Sequence, residues 1–371
     1  MSVYLITKPY LLQVVFTLIV IGLLSKTAIW FGSDNEFGIQ KNHFNLVSRL
    51  GGLGIGLSIF SGIFFINSYY PSESYLTGFL MVAFMPIFIG GLVEDITHKV
   101  SPFLRLSLAS ISSLAVVLVT RVLITHTDIT FLDSILKIPL ISLLLTMLLI
   151  VGFLNSVNII DGFNGLASGS TLIMLISFGV ITFIVDDFIL FRILLLVIIS
   201  NICFLIWNWP YGKIFLGDSG AYLLGIWVVV IGILIPHRNN TISPMATVLI
   251  GSYPMVETLF SIYRRKFIRR NPVSRPDALH LHTLIYRRLI YKNLKNKKHR
   301  NNIYSNSKVA LYIWPLLIID AILAIKFLNN TYILLAVILM TVILYLLLYL
   351  SIVKFKTPKF IIFRSTSPRF Q

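Results

Sequence analysis

Apolar runs too long for an ordinary soluble core limit this chain more than any other feature. Residues 139–154 and 331–350 are predominantly apolar throughout, and similar runs recur along the sequence. A helix rises about 1.5 Å per residue, so about 20 such residues cross a hydrocarbon layer roughly 30 Å thick. The runs are continuous rather than alternating, which argues against membrane β-strands. Only 12% of the 371 residues are charged and 57% are hydrophobic, against about 25% charged in an ordinary soluble domain. So little polar material cannot cover a soluble fold of this size. A cytosolic enzyme, a disordered tail and a disulfide scaffold are all excluded, the last because Cys203 is the only cysteine. The expected class is an all-α polytopic membrane protein.

Hydropathy suggests about eleven spans, near 9–31, 51–69, 74–93, 105–125, 135–154, 166–185, 189–208, 220–236, 243–262, 309–327 and 331–353. The first run has no basic flank or small-residue cleavage site before it and reads as a retained helix. One transmembrane catalytic domain is expected over 1–353, followed by a basic tail, 354–371.

The formal net charge of +17 is concentrated. Segment 264–308 holds 14 Lys and Arg against one acid, Asp277, and the tail adds five more bases and no acid. The rest of the chain sums to −1. In a soluble protein such a balance would suggest nucleic acid; here it reads as topology. An odd number of spans puts the two basic stretches on one side, which the positive-inside rule makes cytoplasmic. The N-terminus is then outside and the C-terminus inside. Cytoplasmic loops fall near 32–50, 94–104, 155–165, 209–219 and 263–308.

Most of the unusual polar residues share that side. Glu94-Asp95 ends the third span; adjacent carboxylates repel unless a divalent cation or a proton relieves them. A solvated pair neutralised by Lys99 and Arg105 is the plainer alternative. Asn155, Asn158, Asp161 and Asn164 occupy the next inner loop, with Gly162 and Gly165 permitting tight turns and close approach of a ligand. Asp218 lies between glycines in Phe215-Leu-Gly-Asp-Ser-Gly and is either a helix N-cap or a metal ligand. Lys213 and Phe215 beside it suit a phosphate and a base ring. His280 and His282 follow Arg275 at a spacing that fits an extended segment better than one face of a helix. Without a third close ligand, phosphate contacts suit them better than zinc. Glu257 is costly in lipid and is expected to face the protein interior. Asp186-Asp187 reads as the solvated turn of an outer loop, with Arg192 as a candidate partner.

In this order the motifs resemble those of the polyprenyl-phosphate N-acetylhexosamine-1-phosphate transferases. The matching elements are His43 through Arg49-Leu-Gly-Gly, Glu94-Asp95 with Arg105, Asn155 through Ala167, and Phe215 through Gly220. Pro254 with Glu257 and Pro276 through His282 complete the set. The resemblance spans about residues 40–290 and implies Mg²⁺ held at Asp218 and Asp95, with Mn²⁺ as a substitute. It implies catalytic roles for Glu94, Asp95, Asp161, His280 and His282. Gly162, Phe163 and Asn164 would meet the uracil, with Phe215 stacking on it. Asn155, Asn158, Lys213, Arg275, His43 and Arg49 would contact the substrates. Two departures stand out: the acidic pair usually reads Asp-Asp, and Asn164 stands where some members have Asp.

The implied reaction moves a sugar-1-phosphate from a UDP-N-acetylhexosamine to a polyprenyl phosphate, releasing UMP. It would begin an envelope polysaccharide at a bacterial cytoplasmic membrane, with the site facing the cytoplasm. The lipid bilayer is the expected environment, no nucleic-acid partner is expected, and a homodimer is compatible. Single displacement is favoured because a phosphate monoester is mostly a dianion at neutral pH; a covalent carboxylate intermediate stays open. The rival readings are a lipid-linked-sugar flippase or transporter, and a scaffold whose basic loop binds anionic lipid. A transporter would want polar groups near the bilayer midplane, whereas these acids cluster at one interface.

Overall fold

The structure, a computed structural model, describes residues 3–27, 47–269, 279–291 and 303–355. The described residues are helical apart from turns, connections and one parallel bridge between Ser48 and Ile214. The helices are α1 (Val3–Leu24), α2 (Gly51–Ile66), α3 (Pro71–Thr97), α4 (Pro102–Thr120) and the short α5 (Thr130–Leu136). Then come α6 (Pro139–Ile160), α7 (Leu166–Ile184), α8 (Phe188–Asn208), α9 (Gly217–Arg238), α10 (Pro244–Ile250) and α11 (Ser252–Tyr263). Last are α12 (Leu281–Leu284), α13 (Ile303–Lys326) and α14 (Thr331–Val353). Wider π-type turns extend α11 to Arg269 and α12 to Ile290.

Local sequence explains the starts. Proline opens α3, α4, α6 and α10, where its missing N–H costs no hydrogen bond. Ser101 caps α4 through the Leu104 N–H at 3.2 Å, and Asp187 caps α8 through that of Leu190 at 3.3 Å. Asp187 is not a solvated turn residue paired with Arg192. It is buried and pairs with Arg238 at 2.7 Å, while Arg192 pairs with Glu73 at 2.6 Å. The two buried acids Glu73 and Asp187 are thereby each matched by an arginine.

Among the described residues, eight helices are long and apolar enough to cross a membrane: α3, α4, α6, α7, α8, α9, α13 (counted from Ser305) and α14. The pair α10–α11 qualifies only as a broken span, bent by 72° at Gly251. The apolar parts of α1 and α2, Lys8–Leu24 and Gly51–Ile66, are shorter. The expected eleven spans thus correspond to eight full-length helices, one broken pair and two short helices. Their limits also move. The helices continue past the hydrocarbon-length apolar stretch, so Glu94 and Asp95 lie in the last turns of α3. Asn155 and Asn158 lie within α6 rather than in a loop, and only residues 161–165 connect α6 to α7.

The central pillar is α9, with Leu223, Leu224, Ile226 and Trp227 fully buried. It packs against α2, α3, α6 and α7. Glycine permits the closest crossings: a Cβ on Gly52 would come within 2.1 Å of the Gly220 nitrogen, and one on Gly91 within 2.6 Å of the Ser219 nitrogen. These two approaches draw α2 and α3 onto the first turn of α9. Apolar burial drives association of soluble helices, but between helices in lipid such close packing and polar contacts must supply it.

Candidate active site

Three backbone hydrogen bonds join the chain before α2 to the chain before α9. Phe215 N–H donates to the Ser48 carbonyl at 2.8 Å, Gly51 N–H to Phe215 at 3.1 Å, and Gly52 N–H to Leu216 at 2.9 Å. The seam places Arg49 beside the first turn of α9. There the Asp218 carboxylate pairs with Arg105 of α4 at 2.6 Å and with Arg49 at 3.4 Å.

Asp95 approaches the same turn from α3. Its Oδ1 accepts the Asp218 N–H at 2.7 Å, and its Oδ2 accepts the Ser219 N–H at 3.0 Å and the Ser219 hydroxyl at 2.6 Å. The carboxylate is fully buried, with Arg49 at 3.5 Å from Oδ1. It therefore caps α9 from another helix and meets the positive end of that helix dipole. Gly217, at φ +74°, supplies the left-handed residue that turns the chain into α9, and a Cβ there would strike Asp95. Glu94 turns the other way: its Oε2 accepts the Val100 N–H at 2.8 Å and fastens the α3–α4 connection. The two adjacent acids thus have different tasks.

Asp161 follows the last turn of α6 and lies within electrostatic reach of Asp95, Asp218 and Arg49. Burial pushes its carboxyl up to about 8; the two acids push the same way and Arg49 opposes them. This is a carboxyl that exchanges its proton near neutral pH, with Arg49 acting on it.

The connection after Asp161 packs mostly inward. Gly162 is exposed, whereas Phe163 and Asn164 are buried. The Phe163 ring packs against His282 at 5.8 Å and Tyr286 at 5.2 Å between centroids. Asn164 donates its backbone N–H to Asn306 at 2.8 Å, and its side chain fills the space beside Gly212. Asn208 ties this connection to the next: it accepts the Gly165 N–H at 2.7 Å and donates to the Ile214 carbonyl at 2.8 Å.

His280 and His282 stack with their rings 5.2 Å apart and 3° from parallel. Glu257, fully buried on α11, bonds His280 Nδ1 at 3.0 Å and receives the Leu281 N–H at 3.2 Å from each oxygen. His282 Nε2 lies 3.7 Å from where a Cβ on Gly162 would stand, which brings the histidine motif against the Asp161–Gly162 turn. Burial holds His282 down at about 4, His280 pushes it further and Glu257 opposes, so it is neutral at pH 7.

Other expected site residues stand as follows. Asn155 donates to the Val151 carbonyl of its own helix at 2.7 Å, and Asn158 is half-buried one turn later. Phe215 is half-buried at the seam. Lys213 is exposed, its ammonium 5.2 Å from the Trp207 ring and 5.4 Å from that of Tyr211. His43 and Arg275 lie outside the described residues. Sequence reasoning placed Arg105 and Ser219 within the matching motifs without giving them a site role, and missed Asn208. Their signal was weak, because each acts through a partner more than a hundred or some tens of residues away.

Among the described residues no three His, Cys, Asp or Glu side chains converge as a metal-holding group. One or two partly exposed carboxylates still fit Mg²⁺, which keeps water or phosphate oxygens as its other ligands. Asp218 is 13% exposed and meets that description; Asp95, sealed and occupied by three donors, meets it less well.

A family model described as glycosyl transferase family 4 matches residues 76–235. A probable undecaprenyl-phosphate N-acetylglucosaminyl 1-phosphate transferase of Bacillus subtilis is 28% identical over 75% of this chain and 76% of its own length. An undecaprenyl-phosphate alpha-N-acetylglucosaminyl 1-phosphate transferase of Thermotoga maritima is 33% identical over 38% of this chain and 41% of its own. A phospho-N-acetylmuramoyl-pentapeptide-transferase of Streptococcus thermophilus is 29% identical over 45% and 47%. The matched stretch runs from α3 through most of α9 and carries Glu94, Asp95, Arg105, Asp161 and Asp218, and over it the chain is similar to glycosyl transferase family 4.

Proposed function

We propose that this chain is a membrane phospho-sugar transferase that moves N-acetylhexosamine-1-phosphate from a UDP-sugar to undecaprenyl phosphate and releases UMP. The observation that carries the reading is the meeting of Asp161, Asp218, Arg49 and Arg105 at the ends of apolar helices. A lipid phosphate and a water-soluble nucleotide can meet only at such a depth. The names of the relatives supply the substrate class.

An acceptor phosphate oxygen attacks the sugar-bearing phosphorus of the donor. A new P–O bond forms, the bond between the two donor phosphorus atoms' bridging oxygen and the sugar-bearing phosphorus breaks, and UMP leaves with that oxygen. Both partners are anions, so the chain's first task is to let them approach. Arg49 and Arg105 neutralise charge beside Asp218, and charge placed before reaction costs no reorganisation during it. Asp161, mostly protonated at neutral pH, can donate a hydrogen bond to a phosphate oxygen. Bound Mg²⁺, with Asp218 as its foremost protein ligand, would neutralise phosphate charge. Single displacement is favoured, because a phosphate monoester acceptor is mostly a dianion at neutral pH and is already a competent nucleophile.

The basic stretches give the orientation proposed for the site, facing the cytoplasm of a bacterial inner membrane. The flippase reading is weaker because the acids gather at helix ends.

The test is purified protein in lipid nanodiscs with Mg²⁺, undecaprenyl phosphate and UDP-N-acetylglucosamine labelled in the β-phosphate. Labelled lipid and stoichiometric UMP are expected. Failure to label lipid from any of a panel of UDP-N-acetylhexosamines would overturn the proposal.

A further inference from the structure

Tyr222 lies four residues after Asp218 on α9, so the two side chains project from one face of the helix. Its ring is packed away, leaving the residue 2% exposed. Its hydroxyl interacts electrostatically with Asp218, Arg105, Asp95 and Glu94. Among the described residues that hydroxyl has no hydrogen-bond partner. It is also absent from the oxygens that are both unpaired and sealed, which include those of Tyr10, Tyr253 and Tyr345. The small remaining exposure therefore includes the hydroxyl itself. A fixed, unpaired donor opens onto the carboxylate–arginine cluster.

Depth indicates what it meets. The helix begins at Gly217 and runs into the apolar bundle, so Tyr222 lies about 6 Å further in than Asp218. A nucleotide donor enters from water and spreads its charge over two phosphates and a nucleoside. A lipid acceptor is held from the other direction, because its chain stays in hydrocarbon and draws its single phosphate to the inner edge of the cluster. A phenol suits that edge: it donates a hydrogen bond while remaining neutral, since its ordinary pKa is near 10. A lysine there would instead compete with the lipid phosphate for Asp218.

Resting on the transferase reading above, we infer that the Tyr222 hydroxyl donates a hydrogen bond to the phosphate of the lipid acceptor and is a substrate-binding residue of this enzyme. The sealed phenols of Tyr10, Tyr253 and Tyr345 do not share the arrangement, because they have no opening through which a ligand could reach them.

The test is Tyr222→Phe, which keeps the ring packing and removes only the donor. Full-length protein in nanodiscs is assayed for UMP release while undecaprenyl phosphate and UDP-N-acetylglucosamine are varied separately. KM for the lipid should rise about tenfold or more, the loss expected for one hydrogen bond to a charged group. KM for the nucleotide sugar should stay within twofold and the melting temperature should not move. An unchanged lipid KM overturns the inference, as does a rise confined to the donor KM. Binding of undecaprenyl phosphate measured by native mass spectrometry gives a readout without turnover. If the unaltered protein fails to turn over, the transferase reading has failed, and weaker lipid binding by Tyr222→Phe still supports the contact. Equal lipid binding by the two proteins overturns it.

Discussion

Asp95 holds Asp218 by its backbone: the Asp95 Oδ1 accepts the Asp218 N–H at 2.7 Å, while the Asp218 carboxylate is left to Arg105 and Arg49. One acid fixes the helix end and the other, paired with two arginines, is partly exposed. Two carboxylates that look equivalent in sequence are divided by burial and by the direction from which α3 meets α9.

That division predicts different responses to amide substitution. Asp95→Asn puts an NH₂ against either the Asp218 N–H or the two Ser219 donors, leaving two donors facing each other. The loss should be about 1–3 kcal/mol of stability, the cost of an unmet buried donor, together with lower activity. Asp218→Asn should leave the melting temperature close to the parent and reduce turnover by about 10²-fold or more, the scale for removing one preorganised electrostatic group. Thermal unfolding and UMP release on the same preparations check both; equal destabilisation by the two would contradict the division.

Arg105 reaches Asp218 at 2.6 Å from a different helix. Arg105→Lys keeps the charge but loses the planar fork that can serve a carboxylate and a phosphate together. Turnover should fall well below the parent, and Arg105→Gln should fall further. A lysine variant with full activity would show that charge alone suffices at this position.

The sequence made the helices legible because a bilayer demands a length of apolar chain, and it made Asp95 and Asp218 legible because they sit in short Gly-rich motifs. Apolar length does not measure helix length, however. Asn155 and Asn158 continue α6 past its apolar stretch and so read as loop residues in sequence. Nor does a motif record direction: Phe163 and Asn164 lie beside Gly162 in sequence, yet they turn into the bundle against Tyr286 and Asn306. The break at Gly251 was invisible for a similar reason, since both of its halves are apolar. The links of Asn208 to Gly165 and Ile214 depend on tertiary packing, which no local pattern encodes.

Close packing at the first turn of α9 predicts sharp intolerance of one methyl group. Gly91→Ala would place a Cβ 2.6 Å from the Ser219 nitrogen and 2.7 Å from its Cα. Those neighbours are backbone and cannot rotate away, so α3 must shift, at about 1–3 kcal/mol or more. Gly152→Ala meets nothing within 4 Å and should be neutral or stabilising. Melting temperatures of the two variants in the same detergent check the contrast.

His282 predicts the direction of a pH effect on stability. Its folded-state pKa is near 4, below the ordinary value of about 6.5. Between those values the unfolded chain binds a proton that the folded chain refuses. This contribution to stability is therefore present above about pH 6.5 and is lost as pH falls towards 4. Its full size is a few kcal/mol. Unfolding temperatures from pH 7 to pH 5 should decline, and His282→Gln should flatten the decline. A slope unchanged by the substitution would assign the acid sensitivity to another group.

Asp320 makes the last link testable. This buried acid on α13 accepts the Ser252 hydroxyl at 3.0 Å, just after the Gly251 break, and the Thr341 hydroxyl of α14 at 2.8 Å. Ser252 opens α11, and α11 carries Glu257, which holds the histidine motif. Asp320 is thus linked through the bend to the helix that holds the histidines, and a positioning role for it is the prediction tested. Asp320→Asn keeps an acceptor and should retain most activity; Asp320→Leu removes both contacts and should lower kcat more than it raises either KM. The separating readout is modification of His280 and His282 by diethyl pyrocarbonate, followed by mass spectrometry. Both rings are nearly sealed in the intact protein, at 6% and 3% exposure. Asp320→Leu should speed their modification while Asp320→Asn leaves it slow. If neither variant changes the rate, the bend is held without Asp320, and its hydrogen bonds serve only to satisfy an acid inside the bundle.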